Sequence, residues 1–431
     1  MSASSRQKLE LSDKQRINVN PAENDRPYAA AEAFARRSHS KLIAYLAAQS
    51  RDVAAAEDAL QEAFEAALVT WPRQGCPENP EAWLLTVARR KLIDRMRHDH
   101  DSGDPEELEK LAAADAGPDA DEIPDRRLAL LFACAHPAID AAIRAPLMLQ
   151  VVLGLEATQI ASAFLMSPTA MAQRLVRAKA KIRHAGVPFR IPDRSELTER
   201  LEGVLDAIYA GFTEGWVDAA GTDEARRELA GEAIYLGRML TELLPREPEA
   251  WGLLALMLYA QARRTARRNQ DCEFVPLTEQ DTALWDAAMI DEAEAALKRA
   301  CGFGRIGRFQ LEAAIQSAHV ERRRSGQVAW SAILELYAAL VKLTGSPVAQ
   351  INRAVALAEV EGANAGLHAL AAVEPDDRIR PYQPYWAARA DLLARTGAHL
   401  EAQRAYEIAI GMEPDPAVRR YLEHKRDGAA E

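Results

Sequence analysis

The chain has 431 residues, 48% of them hydrophobic and 27% charged, with a net charge of −11. That length suggests roughly three domains at ~150 residues each, with ample apolar material for packed cores. The acidic balance excludes a general nucleic-acid coat, so any contact with nucleic acid has to be local. The four cysteines (Cys76, Cys134, Cys272, Cys301) lie far apart without CxxC spacing, which indicates neither a zinc site nor a disulfide framework. Cys134 and His136 lack a second ligand pair, so no metal is expected there. A glycine-rich phosphate loop, a His/Glu pair at metal spacing and a nucleophile elbow are all missing from the sequence. The expectation is a protein that is not an enzyme and uses no cofactor. Residues 1–27 are polar and charged and read as a disordered tail without a signal peptide. No stretch approaches the ~18 apolar residues of a membrane span. The expected location is therefore cytoplasmic, with no membrane partner and reduced thiols.

Ala, Leu, Glu and Arg dominate throughout, and alternating β-branched runs are missing, so the expected fold is all-α. In the first segment, 28–98, a helix over 52–71 carries an apolar stripe of Leu60, Phe64, Leu68 and Trp71. Asp58, Gln61, Glu62 and Glu65 form an acidic stripe beside it. Asn79, Pro80 and Glu81 then supply a cap, a first-position proline and a first-turn carboxylate for a second helix. Arg90, Lys91, Asp94, Arg95 and Arg97 share one arc of that helix, and Trp83 near its start is read as core. The next segment, 99–124, carries ten acidic residues and one lysine up to Glu122. Such a composition predicts a disordered tether. At ~3.3–3.6 Å per residue it reaches roughly 85–95 Å.

Residues 125–191 contain the most informative pattern. A short helical run from Thr158 to Phe164 puts Ile160, Ala161 and Phe164 on one side. A tight connection at 165–167 leads into a longer basic helix. Ser167 suits its N-cap and Pro168 its first position. Met171, Leu175, Ala178 and Ile182 fall within about 60° of one another at ~100° per residue. Thr169, Ala170, Gln173, Arg174, Arg177 and Lys181 occupy the opposite arc. Short helix, turn and basic helix make a helix-turn-helix pattern, in which Gln and Arg can read base edges and Lys can hold phosphate. The last segment, 192–431, holds five of the seven tryptophans. Trp386, Ala390, Gly397, Ala402, Tyr406, Ala409 and Pro414 fall at the spacing of the 34-residue tetratricopeptide pattern, which predicts a helical-repeat array. Two arginine runs there, Arg263, Arg264, Arg267, Arg268 and Arg322, Arg323, Arg324, are read as solvated loop residues.

Several blocks together resemble bacterial sigma factors of the extracytoplasmic-function class. They are Ala56-Glu-Asp-Ala-Leu-Gln-Glu-Ala-Phe64, Pro80-Glu-Ala-Trp-Leu-Leu-Thr-Val-Ala-Arg89, Leu131-Phe-Ala-Cys-Ala-His-Pro137 and Met171-Ala-Gln-Arg-Leu-Val-Arg-Ala-Lys179. Three further blocks resemble the group with a long tetratricopeptide-like C-terminal extension: Ala233-Ile-Tyr-Leu-Gly-Arg-Met-Leu240, Glu279-Gln-Asp to Trp285-Asp286, and Ile351-Asn-Arg-Ala-Val-Ala356. The resemblance implies a region-two helical bundle (28–98), the acidic linker, a region-four helix-turn-helix domain (125–191) and a regulatory extension (192–431). It also implies a role for each stripe. Asp58, Gln61, Glu62, Phe64 and Glu65 would dock on core RNA polymerase. Arg90, Lys91, Asp94, Arg95 and Arg97 would engage the minus-ten promoter element. Thr169, Ala170, Gln173, Arg174, Arg177 and Lys181 would read the minus-thirty-five element. The extension would take a signalling partner or make an intramolecular contact. The competing reading is a helix-turn-helix activator or adaptor with a tetratricopeptide-like partner-binding domain. Two positions depart from the group. Glu156 stands where a threonine cap is common, and Gln270-Asp271-Cys272-Glu273 replaces an Asp-Gly turn.

Overall fold

A computed structural model describes residues 38–98, 125–164, 166–216, 224–373 and 379–429. The predicted tail and the whole of the predicted linker lie outside these residues. The described residues are helical apart from turns and one isolated bridge between Arg268 and Phe274, as an all-α fold requires. No helix among them is long and apolar enough to cross a membrane. The chain divides into two compact units, Met1–Arg200 and Leu201–Glu431.

In the first unit, α1 (38–50) leads into α2 (Val53–Gln74) and α3 (Pro80–His98), which pack on each other. Asp52 caps α2 by accepting from the Ala54 and Ala55 amides, and Asn79 caps α3 through Ala82 at 3.0 Å. Glu81 in the first turn of α3 accepts from the Ser38 hydroxyl, which ties α3 to α1. The core stripe of α2 is Val53, Ala56, Ala59, Leu60, Ala63, Ala67 and Trp71. The small alanines let α3 approach closely, and Trp71 meets Trp83 edge-on at 5.6 Å. Leu68, expected in this stripe, is instead 41% exposed beside Val69. Both lie on the side that carries the carboxylates.

The same unit continues with α4 (Arg127–Cys134), α5 (Ala141–Val151), α6 (Ala157–Ala163) and α7 (Pro168–His184). All eight residues of α4 are buried, the signature of a helix covered on every face. Ser167 caps α7 through the Ala170 amide, and Met171, Leu175, Ala178 and Ile182 form its buried seam, as the periodicity predicts. Ile160 and Ala161 of α6 are buried, whereas Phe164 is 38% exposed. At Glu156 the return half of a capping box forms without the threonine-type side-chain cap. The Glu156 amide donates to Gln159 three residues on, and its carboxylate accepts from Thr158.

The second unit takes up the chain within α8 (Arg194–Trp216), followed by α9 (Glu224–Leu243), α10 (Pro248–Ala262), α11 (Ala287–Cys301) and α12 (Arg308–Val320). Then come α13 (Trp330–Thr344), α14 (Pro347–Glu361), α15 (Ala363–Ala371), α16 (Gln383–Arg395), α17 (His399–Met412) and α18 (Pro416–Gly428). Neighbours pack in sequence order, α13 on α14, α14 on α15, α16 on α17 and α17 on α18. Central to the unit is α10, most of whose residues are buried and which packs against α9, α11 and α12. Gly252 permits this, because a Cβ there would sit 2.7 Å from the Gln310 amide nitrogen of α12. At the motif in α16 and α17, Ala390, Ala402, Tyr406 and Ala409 are buried and Gly397 turns the chain at φ 81°.

The arginine runs are not simple solvated loops. Arg264 and Arg267 donate to the Gly215 and Trp216 carbonyls at the end of α8, and Arg267 stacks 4.0 Å over the Trp216 ring. Arg263 is buried and donates to the Tyr259 carbonyl, while Arg268 pairs with Asp415. Arg322 donates to the Thr278 and Gln280 carbonyls, and Arg324 pairs with Glu294 at 2.9 Å. Carbonyls at helix C-termini carry partial negative charge, so guanidinium groups settle on them. Only Arg323 keeps the expected exposed position without such a bond.

Candidate polymerase and nucleic-acid interface

The two stripes predicted on α2 and α3 lie side by side. Asp58, Gln61 and Glu65 are exposed on α2, with Glu62 half-buried between them. Gln61 donates to Glu65 at 3.3 Å, one turn away. On α3, Arg90, Lys91, Asp94 and Arg95 are exposed. The stripes neutralise each other across the helix pair, with Arg95 to Asp58 at 2.7 Å and Lys91 to Glu62 at 3.1 Å. Both pairs are solvent-exposed, so each contributes only about 0–1 kcal/mol and can be exchanged for a macromolecular partner. Phe64 is half-buried behind the stripe and stacks on His39 at 6.3 Å. The Arg97 side chain lies outside the described residues. Arg89, one position before the basic arc, is buried and donates to the Tyr45 hydroxyl at 2.5 Å, which holds α3 against α1.

The surface of α7 divides into sectors around its buried seam. Thr169, Gln173, Arg174, Arg177 and Lys181 are exposed and Ala170 half-exposed, so all six predicted reading positions face outward. Arg174, Arg177 and Lys181 border a cavity of about 350 Å³ whose far wall is Ile139, Asp140 and Ile143 at the start of α5. Among these groups Asp140 is spent on capping α5 through Ala142. Val176, which the sequence reading passed over, is 66% exposed on the same helix.

A third sector faces α2. Lys179 donates to both oxygens of Glu57, at 2.8 and 2.6 Å, and its side chain is only 11% exposed. One turn on, Arg183 pairs with the α2 cap Asp52 at 3.1 Å. His39 of α1 feels the charge of Lys179, and Cys134 of α4 feels both members of the pair. Burial lowers His39, raises the Glu57 carboxyl in spite of Lys179, and pushes the Cys134 thiol up to about 12. Burial thus keeps the Cys134 thiol protonated within the core. His136 is committed to its own turn, where Nδ1 accepts from the Ala138 amide. Composition could not separate Lys179 and Arg183 from the other cations of α7. Their i, i+4 spacing on one flank was the available signal.

The α2–α3 hairpin with its paired stripes falls within residues 34–101, which match the sigma-70 region 2 family. This part of the chain is thus similar to region 2 of sigma-70 factors. The chain is 31% identical over 227 residues to a probable RNA polymerase sigma factor, RfaY, of Xanthomonas campestris pv. campestris, which spans 49% of this chain and 52% of that protein. It is 40% identical over 392 residues to an uncharacterized protein of Rhizobium meliloti, which spans 88% of this chain and 91% of that one. Residues 200–301 match a family of unknown function (DUF6596), a stretch that starts where the second compact unit does. No solved structure matches the chain.

Proposed function

We propose that this chain is an alternative sigma subunit of the extracytoplasmic-function type, directing core RNA polymerase to promoters under control of its own C-terminal extension. The observation that carries the reading is the region-two helix pair, which sets an acidic face on α2 beside a basic face on α3. Carboxylates flanked by exposed Leu68 and Val69 suit a basic, partly apolar partner helix on the polymerase. Asp58, Gln61, Glu62 and Glu65 make that contact, with Phe64 as its support. Arg90, Lys91, Arg95 and Arg97 hold the strand backbone at the minus-ten element, and Asp94 sits among them. Thr169, Ala170, Gln173, Arg174, Arg177 and Lys181 face the minus-thirty-five element in the major groove. On this reading 28–98 is region two, 99–124 the tether, 125–191 region four and 192–431 a tetratricopeptide-like regulatory domain. A tether of roughly 85–95 Å lets the two promoter-binding parts stand two duplex turns apart, at ~34 Å per turn. Reaching both elements at once then requires Lys179 and Arg183 to exchange Glu57 and Asp52 for DNA phosphates.

Co-purification with core polymerase tests the polymerase contact. Full-length protein co-elutes with core, and the charge reversal Asp58→Lys with Glu62→Lys abolishes the complex while leaving helix content intact. Retention of the complex by the double variant would place the polymerase contact elsewhere.

A further inference from the structure

The extension contains a cavity of about 610 Å³ that the sigma reading does not use. Its size is that of a small-molecule site, about 300–1,000 Å³. Polar groups of opposite character meet along one wall. At one end Arg308 serves two carboxylates at once, Asp206 at 2.9 Å and Glu312 at 2.9 Å. Glu249 adds a third negative charge acting on Glu312, so this end is short of cations. Tyr209 and Tyr337 border the same space, and their phenol oxygens have no hydrogen-bond partner among the described residues.

One helical turn further along α12 the polarity reverses. The side-chain oxygen of Gln316 is occupied by the Arg263 guanidinium at 2.5 Å, which leaves the Gln316 amide N–H groups as donors in the cavity wall. Arg263 is 6% exposed, and its Nη1 is buried without a partner. Arg267 and Arg322 press on it as like charges, opposed by the Tyr337 phenol that borders the same cavity. A buried guanidinium without a counter-anion is costly, and it leaves a positive potential behind Gln316. Glu312 and Gln316 are thus an acceptor and a donor at i, i+4, about 5–6 Å apart on one helix face. Two hydrogen bonds of about 2.9 Å to one α-amino-acid head group span that distance. Leu256, Ile315, Leu340 and Val348 supply an apolar floor beyond it.

We propose that this cavity binds a free proteinogenic α-amino acid, its ammonium group on Glu312 between the two phenols and its carboxylate on the Gln316 amide. The site makes the extension a small-molecule receptor, and it is read on the protein alone, independently of polymerase or DNA.

Isothermal titration and thermal unfolding of the full chain with each of the twenty proteinogenic L-amino acids test the proposal. At least one amino acid binds and raises the melting temperature. Its deaminated and decarboxylated analogues each bind at least ~10-fold more weakly, as loss of one charged contact requires. Glu312→Gln and Gln316→Leu each lower affinity by a similar factor. Tyr337→Phe, which removes one hydroxyl without altering packing, weakens binding several-fold and decides the matter if the other variants fold poorly. Absence of binding by all twenty amino acids overturns the proposal. So does binding that Glu312→Gln, Gln316→Leu and Tyr337→Phe leave unchanged.

Discussion

Cys272 occupies a left-handed backbone position, at φ 59°, in the Asn269–Glu273 loop. Asn269 holds the loop by accepting from the Asp271 and Glu273 amides at 3.0 and 2.8 Å. A side chain with φ above zero costs about 1–2 kcal/mol that glycine avoids. Cys272→Gly therefore stabilises the extension by about 1 kcal/mol, visible as a rise of roughly 2–4 °C in its melting temperature. The departure from the Asp-Gly pattern was legible in the sequence, but that Cys272 itself adopts the glycine conformation was not. His319 offers a second test at this scale. It lies edge-on to Trp330 at 5.7 Å, and burial together with Arg263 and Arg322 pushes it down to about 4. A lowered value means that folding favours the neutral ring. Stability from this group is present above about 6.5 and is lost as pH falls toward about 4. Urea unfolding between pH 7 and 4 should show this decline, and His319→Gln should flatten it.

Single helices show which interactions periodicity conveys and which it does not. In α7 the seam of Met171, Leu175, Ala178 and Ile182 was readable because burial recurs at the helical period. The partner of its flank was not, because Lys179 and Glu57 are 122 positions apart in the chain. Removing one member of a largely buried pair leaves the other without compensation. Lys179→Ala should cost about 2–3 kcal/mol in equilibrium unfolding, whereas the exposed Arg95→Ala should cost under ~1 kcal/mol. In α2 the spacing alone assigned Leu68 to the core, yet alanines took that role and left Leu68 outside. Large apolar size outweighed alanine in the sequence reading, while close helix approach favours the small side chain. A comparable constraint governs α10. Gly252→Ala sets a methyl group against the α12 backbone and should destabilise the extension by about 1–3 kcal/mol, measurable by denaturant titration.

For the molecule as a whole, composition was sufficient for the all-α fold, and the paired blocks on α2 and α3 fall within the stretch that matches sigma-70 region 2. Caps and hydrophobic periods are local, and each of these was visible in a window of one or two helices. Charges buried by distant helices were not visible, so the arginines of the extension looked like surface residues. Arg263 and Arg267 in fact lie within or against the fold. The cavity bounded by α8, α12, α13 and the turn into α14 was equally hidden, since its lining is spread from Tyr209 to Asn352. The central claim is that this chain gives core polymerase its promoter choice. Transcription in vitro from the region upstream of its own gene, with purified core polymerase and with or without the full chain, tests it most directly. The account predicts a transcript with a defined start that depends on the chain and disappears when Asp58 and Glu62 are both made lysine. Core polymerase that gives the same products with and without the chain, or a transcript that survives both substitutions, would contradict it.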